Sequence, residues 1–195
     1  MKTEITGIVL AGGKSSRMGV NKALIKLGEL TVIENVINNL KPLCSCFIIS
    51  ANSADFDFLD LPVVPDVYIE SGPAAGIHAA LRFSTTEYNL VVSCDSPFVT
   101  PDVFEFLLAD SANFLAVIPQ VGSAIEPMIG FYSRKMLPYF EIAFSEGIYS
   151  PPKILKSAGA LFKKSEPEMF EHSELTFLNL NTEADLVIAQ NYFNT

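Results

Sequence analysis

The sequence predicts an α/β protein in which one mostly parallel (mixed) sheet carries helices on both faces, a three-layer α/β/α sandwich. Three observations lead there. Short apolar runs at Gly7–Leu10, Phe47–Ser50 and Tyr88–Ser93 have strand length and lack the polar alternation of a half-exposed strand, as strands buried on both faces do. Each run ends abruptly in small or polar residues: Ala11-Gly12-Gly13, Ala51-Asn52-Ser53 and Cys94-Asp95-Ser96. Between the first two runs lies a helical stripe, so a β-α-β unit is complete by Asn52.

The elements follow in order. Ala23-Leu24-Ile25 is expected as a short extended segment, and Gly28 turns the chain. Thr31-Val32-Ile33-Glu34 has the capping-box pattern, and Val32, Ile33, Val36, Ile37 and Leu40 recur at helical spacing until Pro42 stops them. Leu61–Val64 reads as a third short strand before Pro65-Asp66. Ser71-Gly72-Pro73-Ala74-Ala75-Gly76 opens a helix with free amides at its start, and His78 inside it reads as a packed or capping residue. Thr100-Pro101 caps the helix after the Tyr88–Ser93 strand, with proline suited to its first turn. Leu115–Pro119 and Met128–Tyr132 read as strands across the polar connection Gln120–Pro127. Lys135–Phe144 and a segment opened by Ser150-Pro151-Pro152 read as helices, the second closing before Gly159. Leu161–Lys163 and Thr176–Leu178 read as strands, and Thr182 caps a terminal helix to Phe193. No repeat, linker or low-complexity tract divides the chain.

Composition narrows the function. At 195 residues and nearly half hydrophobic, the chain can bury a substantial core. Its net charge of −9 argues against nucleic acid or an anionic membrane surface as a partner, since both need a positive face. Met1–Thr6 is polar, the apolar run behind it is too short for a secretory leader, and no stretch is long enough to span a bilayer. Cys44, Cys46 and Cys94 are odd in number and lack metal-site spacing. They are expected as small buried apolar residues, with Cys44 and Cys46 on one face of a strand, and a reducing cytoplasm is the expected compartment.

The loop behind the first strand carries the chemistry. Glycines allow close backbone approach, so amides at Ala11, Gly12 and Gly13 can face an anion, and Lys14, Arg17 and Lys22 add positive charge. A Walker A loop is excluded, because the position six before Lys14 is Ile8 rather than glycine; glycines at 12, 13 and 19 likewise fail the dinucleotide fingerprint. A nucleotide or phosphorylated ligand is the direct reading. Asp95 is the second decisive position. A carboxylate directly behind a buried strand is costly unless a cation meets it, and Mg²⁺ favours one carboxylate with waters and substrate phosphates.

The pattern L-A-G-G-x-x-x-R-M-G-x-x-K from Leu10 to Lys22 resembles the signature of the GT-A-like nucleotidyltransferases, most closely the molybdenum cofactor guanylyltransferases. Asp95-Ser96-Pro97-Phe98 is similar to that family's metal-binding segment. Gly72-Pro73-Ala74-Ala75-Gly76 is close to its Gly-Pro-Leu-Ala-Gly, and Asn179-Leu180-Asn181-Thr182 matches its late Asn-x-Asn-Thr. The chain departs from the family at Ala74, where leucine is usual, and at Glu126-Pro127-Met128, where His-Pro-Leu is common.

The resemblance implies a Rossmann-like sheet of the nucleotide-diphospho-sugar transferase type in one domain, residues 1–195. Its nucleotide-binding half would be about 1–100 and its acceptor-binding half about 101–195. It implies GMP transfer from GTP to the phosphate of molybdopterin or Mo-molybdopterin, with Mg²⁺ as cofactor. Transient contacts with cofactor-supplying and cofactor-receiving proteins would follow. Residues implied for GTP are Leu10, Ala11, Gly12, Gly13, Lys22, Asn52, Asp66, Gly76 and Asp95. Asn179 and Asn181 are implied for the acceptor, Arg17, Lys22 and Asp95 for catalysis, and Asp95 for the metal. Cytidylyl transfer to the same cofactor, nucleotidyl transfer to a sugar phosphate, and a non-enzymatic nucleotide-binding regulator stand as alternatives.

Overall fold

The computed structural model describes residues 4–12, 21–69 and 71–194. Its centre is an eight-stranded sheet in the order β10-β7-β9-β6-β1-β4-β5, with β8 paired on β7. These strands are β1 (Ile5–Leu10), β4 (Cys46–Ser50), β5 (Val63–Val64), β6 (Tyr88–Ser93), β7 (Ala116–Val121), β8 (Ala124–Ile125), β9 (Gly130–Ser133) and β10 (Leu161–Lys164). A small hairpin of β2 (Lys26–Leu27) and β3 (Leu30–Thr31) stands apart, turning at Gly28 with φ +66°. Strands β1, β4, β5 and β6 are mutually parallel, as are β7 and β10, whereas β9 runs antiparallel between β6 and β7.

Alternation along the strands sorts side chains into two layers. Ile8, Leu10, Ile48, Val91, Ile118 and Tyr132 pack beneath α2 (Pro73–Phe83), α4 (Leu137–Ser145) and α5 (Pro151–Ser157). Their neighbours Val9, Ile49, Leu90, Val92, Val117 and Phe131 meet α1 (Val32–Leu40) and α3 (Pro101–Leu108) on the opposite face. The period of two thus gives the central strands β1, β6 and β9 two buried faces, and the three-layer sandwich follows. In α1 the expected capping box is present, with Glu34 Oε2 accepting from the Thr31 amide at 2.8 Å. A third apolar cluster of Leu27, Val32, Phe98, Leu180 and Ala189 seats α6 (Glu183–Phe193) against the small hairpin. Among the described residues no helix is long and apolar enough to cross a membrane.

Four local expectations are corrected. Lys22–Leu24 is a 3₁₀ turn rather than an extended segment, because the Asn21 side chain accepts from the Ala23 amide and closes it. Thr176–Leu178 is not a strand: the Thr176 and Leu178 amides bond back to Ser173 and Leu175, and the apolar residues serve separate contacts. Phe177 meets the Phe170 ring at 5.7 Å, while Leu178 joins the cluster under α6. Cys44 precedes β4 and Cys46 opens it exposed, since the cover over β4 begins only toward its carboxyl half; Cys94 is half-buried. Thr100 precedes α3 as expected but donates its hydroxyl to Asp102 instead of accepting from a helix amide.

His78 is buried between α2 and α4, as a packed residue. Tyr68 and Phe144 meet its ring edge-on at 5.4 Å, and neither ring nitrogen has a hydrogen-bond partner. The Glu141 carboxylate stands 3.9 Å from Nε2. Burial pushes the His78 pKa below the ordinary 6.5, against the pull of Glu141 and with the push of Arg82.

Candidate active site

Parallel strands deliver their carboxyl ends to one edge, and three adjacent ends build the site. Leu10, Ser50 and Ser93 stand in register across β4, β1 and β6. Beyond the register, the Ala11 amide donates to Ser50 O at 2.8 Å and the Cys94 amide to Leu10 O at 2.9 Å. Leu10 is thereby pinned at the centre, with Ala11 half-buried and Gly12 exposed behind it. Gly13 and Arg17 lie outside the described residues.

On the β4 side, Asn52 and Asp66 hold each other. Asn52 Nδ2 donates to Asp66 Oδ2 at 2.9 Å, and the Asp66 amide donates to Asn52 Oδ1 at 2.8 Å. The other carboxylate oxygen faces the first turn of α2: a Cβ built on Gly76 would stand 3.5 Å from Asp66 Oδ1, 3.6 Å from Leu10 Cδ2 and only 2.7 Å from Ser50 Oγ. Gly76 is glycine because that turn presses against the strand ends. The turn starts at Gly72 with φ +67°, followed by Pro73, and no side chain caps it. Pro73 has no N–H and the Ala75 amide turns back to Gly72 O at 3.1 Å, so the expected set of free amides at this helix start is smaller than its position suggests.

On the β6 side, Ser93 Oγ donates to Asp95 Oδ1 at 2.5 Å. The C-terminal segment crosses here, with the Leu180 amide on Asp95 O at 2.8 Å and Ser96 Oγ donating to Asn179 Oδ1 at 2.6 Å. Lys22 reaches the same segment, its Nζ donating to Leu180 O at 2.9 Å and to Asn181 O. Asn181 is exposed; its amide donates to Asp185 Oδ2 at 3.0 Å, the carboxylate that also closes the α6 capping box with Thr182. The Thr182 bonds, foremost, hold the Asp185 carboxyl below its ordinary pKa.

The expected residues thus fall into two groups flanking Leu10: Asn52, Asp66 and Gly76 on one side, Lys22, Asp95, Asn179 and Asn181 on the other. The hydroxyls of Ser50, Ser93 and Ser96 were missed. Their signal is positional: Ser50 and Ser93 close strands, and Ser93 and Ser96 lie two residues and one from Asp95. Glu126 also stands at this edge, its amide on Pro119 O at 3.1 Å where β7 hands over to β9; burial pushes its carboxyl pKa up. Among the described residues no three acids, histidines or cysteines cluster as a metal cage. One carboxylate held by Ser93 instead suits a hard cation that takes its remaining ligands from phosphates and water, so the donor set fits Mg²⁺.

A model of the MobA-like NTP transferase domain matches residues 7–160. The chain belongs to this family. Similar to it is the probable molybdenum cofactor guanylyltransferase of Carboxydothermus hydrogenoformans, 36% identical over 186 residues, covering 93% of this chain and 92% of the relative. The molybdenum cofactor guanylyltransferase of Serratia proteamaculans is 32% identical over 189 residues, with 95% and 93% covered. Among solved structures, the molybdopterin-guanine dinucleotide biosynthesis protein A of Archaeoglobus fulgidus superposes with a TM-score of 0.80 at 27% identity, over 96% of this chain and 97% of that one. The family model starts at Gly7 in β1 and ends at Ala160 before β10, so it takes in both groups at the edge except Asn179 and Asn181.

Proposed function

We propose that this MobA-like transferase moves GMP from GTP to the terminal phosphate of molybdopterin, releasing pyrophosphate and forming the guanine dinucleotide cofactor. The observation that carries the reading is Asp95, held by Ser93 at the end of β6, beside the Leu10–Gly12 turn and beneath the segment from Asn179 to Asn181. An acceptor phosphate oxygen attacks the α-phosphorus; that P–O bond forms, the α–β bridge breaks, and pyrophosphate leaves with the electron pair. The acceptor is already anionic, so alignment and charge neutralisation dominate over base catalysis.

Each residue then has a task. Asp95 would hold Mg²⁺, which supplies positive charge to the α- and β-phosphates. The Gly12 and Gly13 amides, with Arg17 and Lys22, hold the triphosphate and the leaving pyrophosphate; the Ala11 amide, expected among them, is instead bonded to Ser50 O and pins the turn to β4. Asp66 Oδ1 accepts from guanine N1–H or N2–H while Asn52 fixes the carboxylate plane. Asn179 and Asn181 meet the acceptor, in a single domain whose first half, about 1–100, takes the nucleotide and whose second, about 101–195, takes the acceptor.

The test is pyrophosphate release with Mg²⁺, molybdopterin and each nucleoside triphosphate in turn. Release with GTP alone supports the reading; release with CTP keeps the mechanism and replaces the base. No release from folded protein with intact acceptor, with or without molybdenum inserted, rejects it.

A further inference from the structure

The chain between β5 and α2 carries Asp66 and is fastened at few points. Asp66 itself is tied to Asn52 through its amide and its carboxylate. Beyond it, among the described residues, the backbone of Val67, Tyr68 and Ile69 makes no hydrogen bond to another element, and Ser71 turns its hydroxyl only to Ile69 O at 3.3 Å. Val67 and Ile69 are 52% and 82% exposed, while Tyr68 between them is half-buried. The Tyr68 ring meets Phe144 at 4.5 Å and His78 at 5.4 Å, edge-on to both, at the seam between α4 and α2. Its hydroxyl has no hydrogen-bond partner among the described residues, so the ring makes the attachment. Edge-on aromatic pairs add a directional attraction to the area they bury.

We propose that Tyr68 is a positioning residue for guanine recognition: its ring, seated on Phe144 and His78, holds the segment behind Asp66 so that the carboxylate meets the base in one orientation. The inference rests on reading Asp66 as the guanine contact. Asn52 secures Asp66 Oδ2, and the backbone on the far side of Asp66 sets where Oδ1 falls. A segment tied only at Asp66 would pivot about that tie. Tyr68 supplies a second attachment two residues on, and the pivot is removed. An acceptor already in place needs no ordering when the nucleotide arrives, so the base contact keeps its full strength. Tyr68 acts through Asp66 and touches no substrate.

Equilibrium titration of GTP and of ITP with Mg²⁺ tests this, in a double-mutant cycle against Asp66. Tyr68→Ala is expected to weaken GTP binding about five- to tenfold, the scale of one or two lost aromatic pairs. ITP should lose less, so that the preference for GTP narrows, and KM for molybdopterin should not change. Tyr68→Phe keeps the ring contacts and should bind both nucleotides as the wild type does. In the Asp66→Asn background, Tyr68→Ala should cost nothing further. Equal losses for GTP and ITP in Tyr68→Ala, additive losses in the double variant, or a Tyr68→Phe protein as impaired as Tyr68→Ala overturn the proposal. Should Tyr68→Ala fail to fold, Phe144→Leu decides, since it loosens the seat from α4 and leaves the segment's own sequence intact. It should narrow the preference in the same direction, and an unchanged preference overturns the proposal. Asp66→Asn with an undiminished preference for GTP over ITP would instead reject the reading of Asp66 as the base contact.

Discussion

At the scale of single residues, two carboxylates and one glycine support the proposed work, and each position is separately testable. Asp95→Ala should cut pyrophosphate release roughly 10²–10³-fold, the cost of removing a main electrostatic contact, while leaving the fold intact because, among the described residues, its carboxylate bonds Ser93 alone. Asp66→Asn should raise KM for GTP roughly tenfold to a hundredfold and narrow the preference over ITP, which lacks the N2 amino group. Unchanged discrimination would move the base contact elsewhere. Gly76→Ala meets Ser50 Oγ at 2.7 Å. It should cost about 1–3 kcal/mol in a denaturant melt and be relieved in part by Ser50→Ala, which removes the crowding atom. The placement of these residues at one edge, rather than their roles, was legible where a strand end puts a residue there, as for Asp95 and Asn52. The serines beside them were not, because a hydroxyl's partner depends on a turn geometry that composition does not encode.

At the scale of elements, most boundaries were readable because hydrophobic period and punctuation agreed. Thr31, Glu34 and Pro42 bracket α1, and continuous apolar runs mark β1, β4 and β6. Thr176–Leu178 misled for a physical reason: a short run with β-forming residues needs a sheet edge to become a strand, and its two apolar residues instead pack singly, Phe177 against Phe170 and Leu178 under α6. The α2–α4 layer adds a pH dependence through His78. Its folded pKa lies below 6.5, so the unfolded chain binds the proton more readily. Stability is full above 6.5 and is lost as pH falls below that value toward the native pKa. Glu141 on α4 limits the shift, Arg82 on α2 extends it, and Tyr68 and Phe144 exclude water. Melting temperature should therefore drop as pH is lowered through this window, and His78→Phe should flatten that part of the profile. An identical slope in the variant would assign it to other groups.

At the scale of the whole molecule, the site is closed by contacts that no local pattern announces. Lys22 Nζ bonds carbonyls 158 and 159 positions away, and a backbone carbonyl has no residue-type signature. Lys22→Met should lower kcat/KM with GTP at least about tenfold and also loosen the C-terminal segment, seen as faster amide exchange at Leu180 and Asn181, since two bonds from a charged donor are lost. This cross-link also sets a timetable for biosynthesis. Every strand of the sheet has been made once Lys164 is added, but the carbonyls that seat Lys22 and the side chain that Ser96 holds arrive only with Asn179, Leu180 and Asn181. A nascent chain on the ribosome can thus fold its sheet early and still lack a finished edge, so turnover must wait until the segment from Asn179 to Asn181 has emerged.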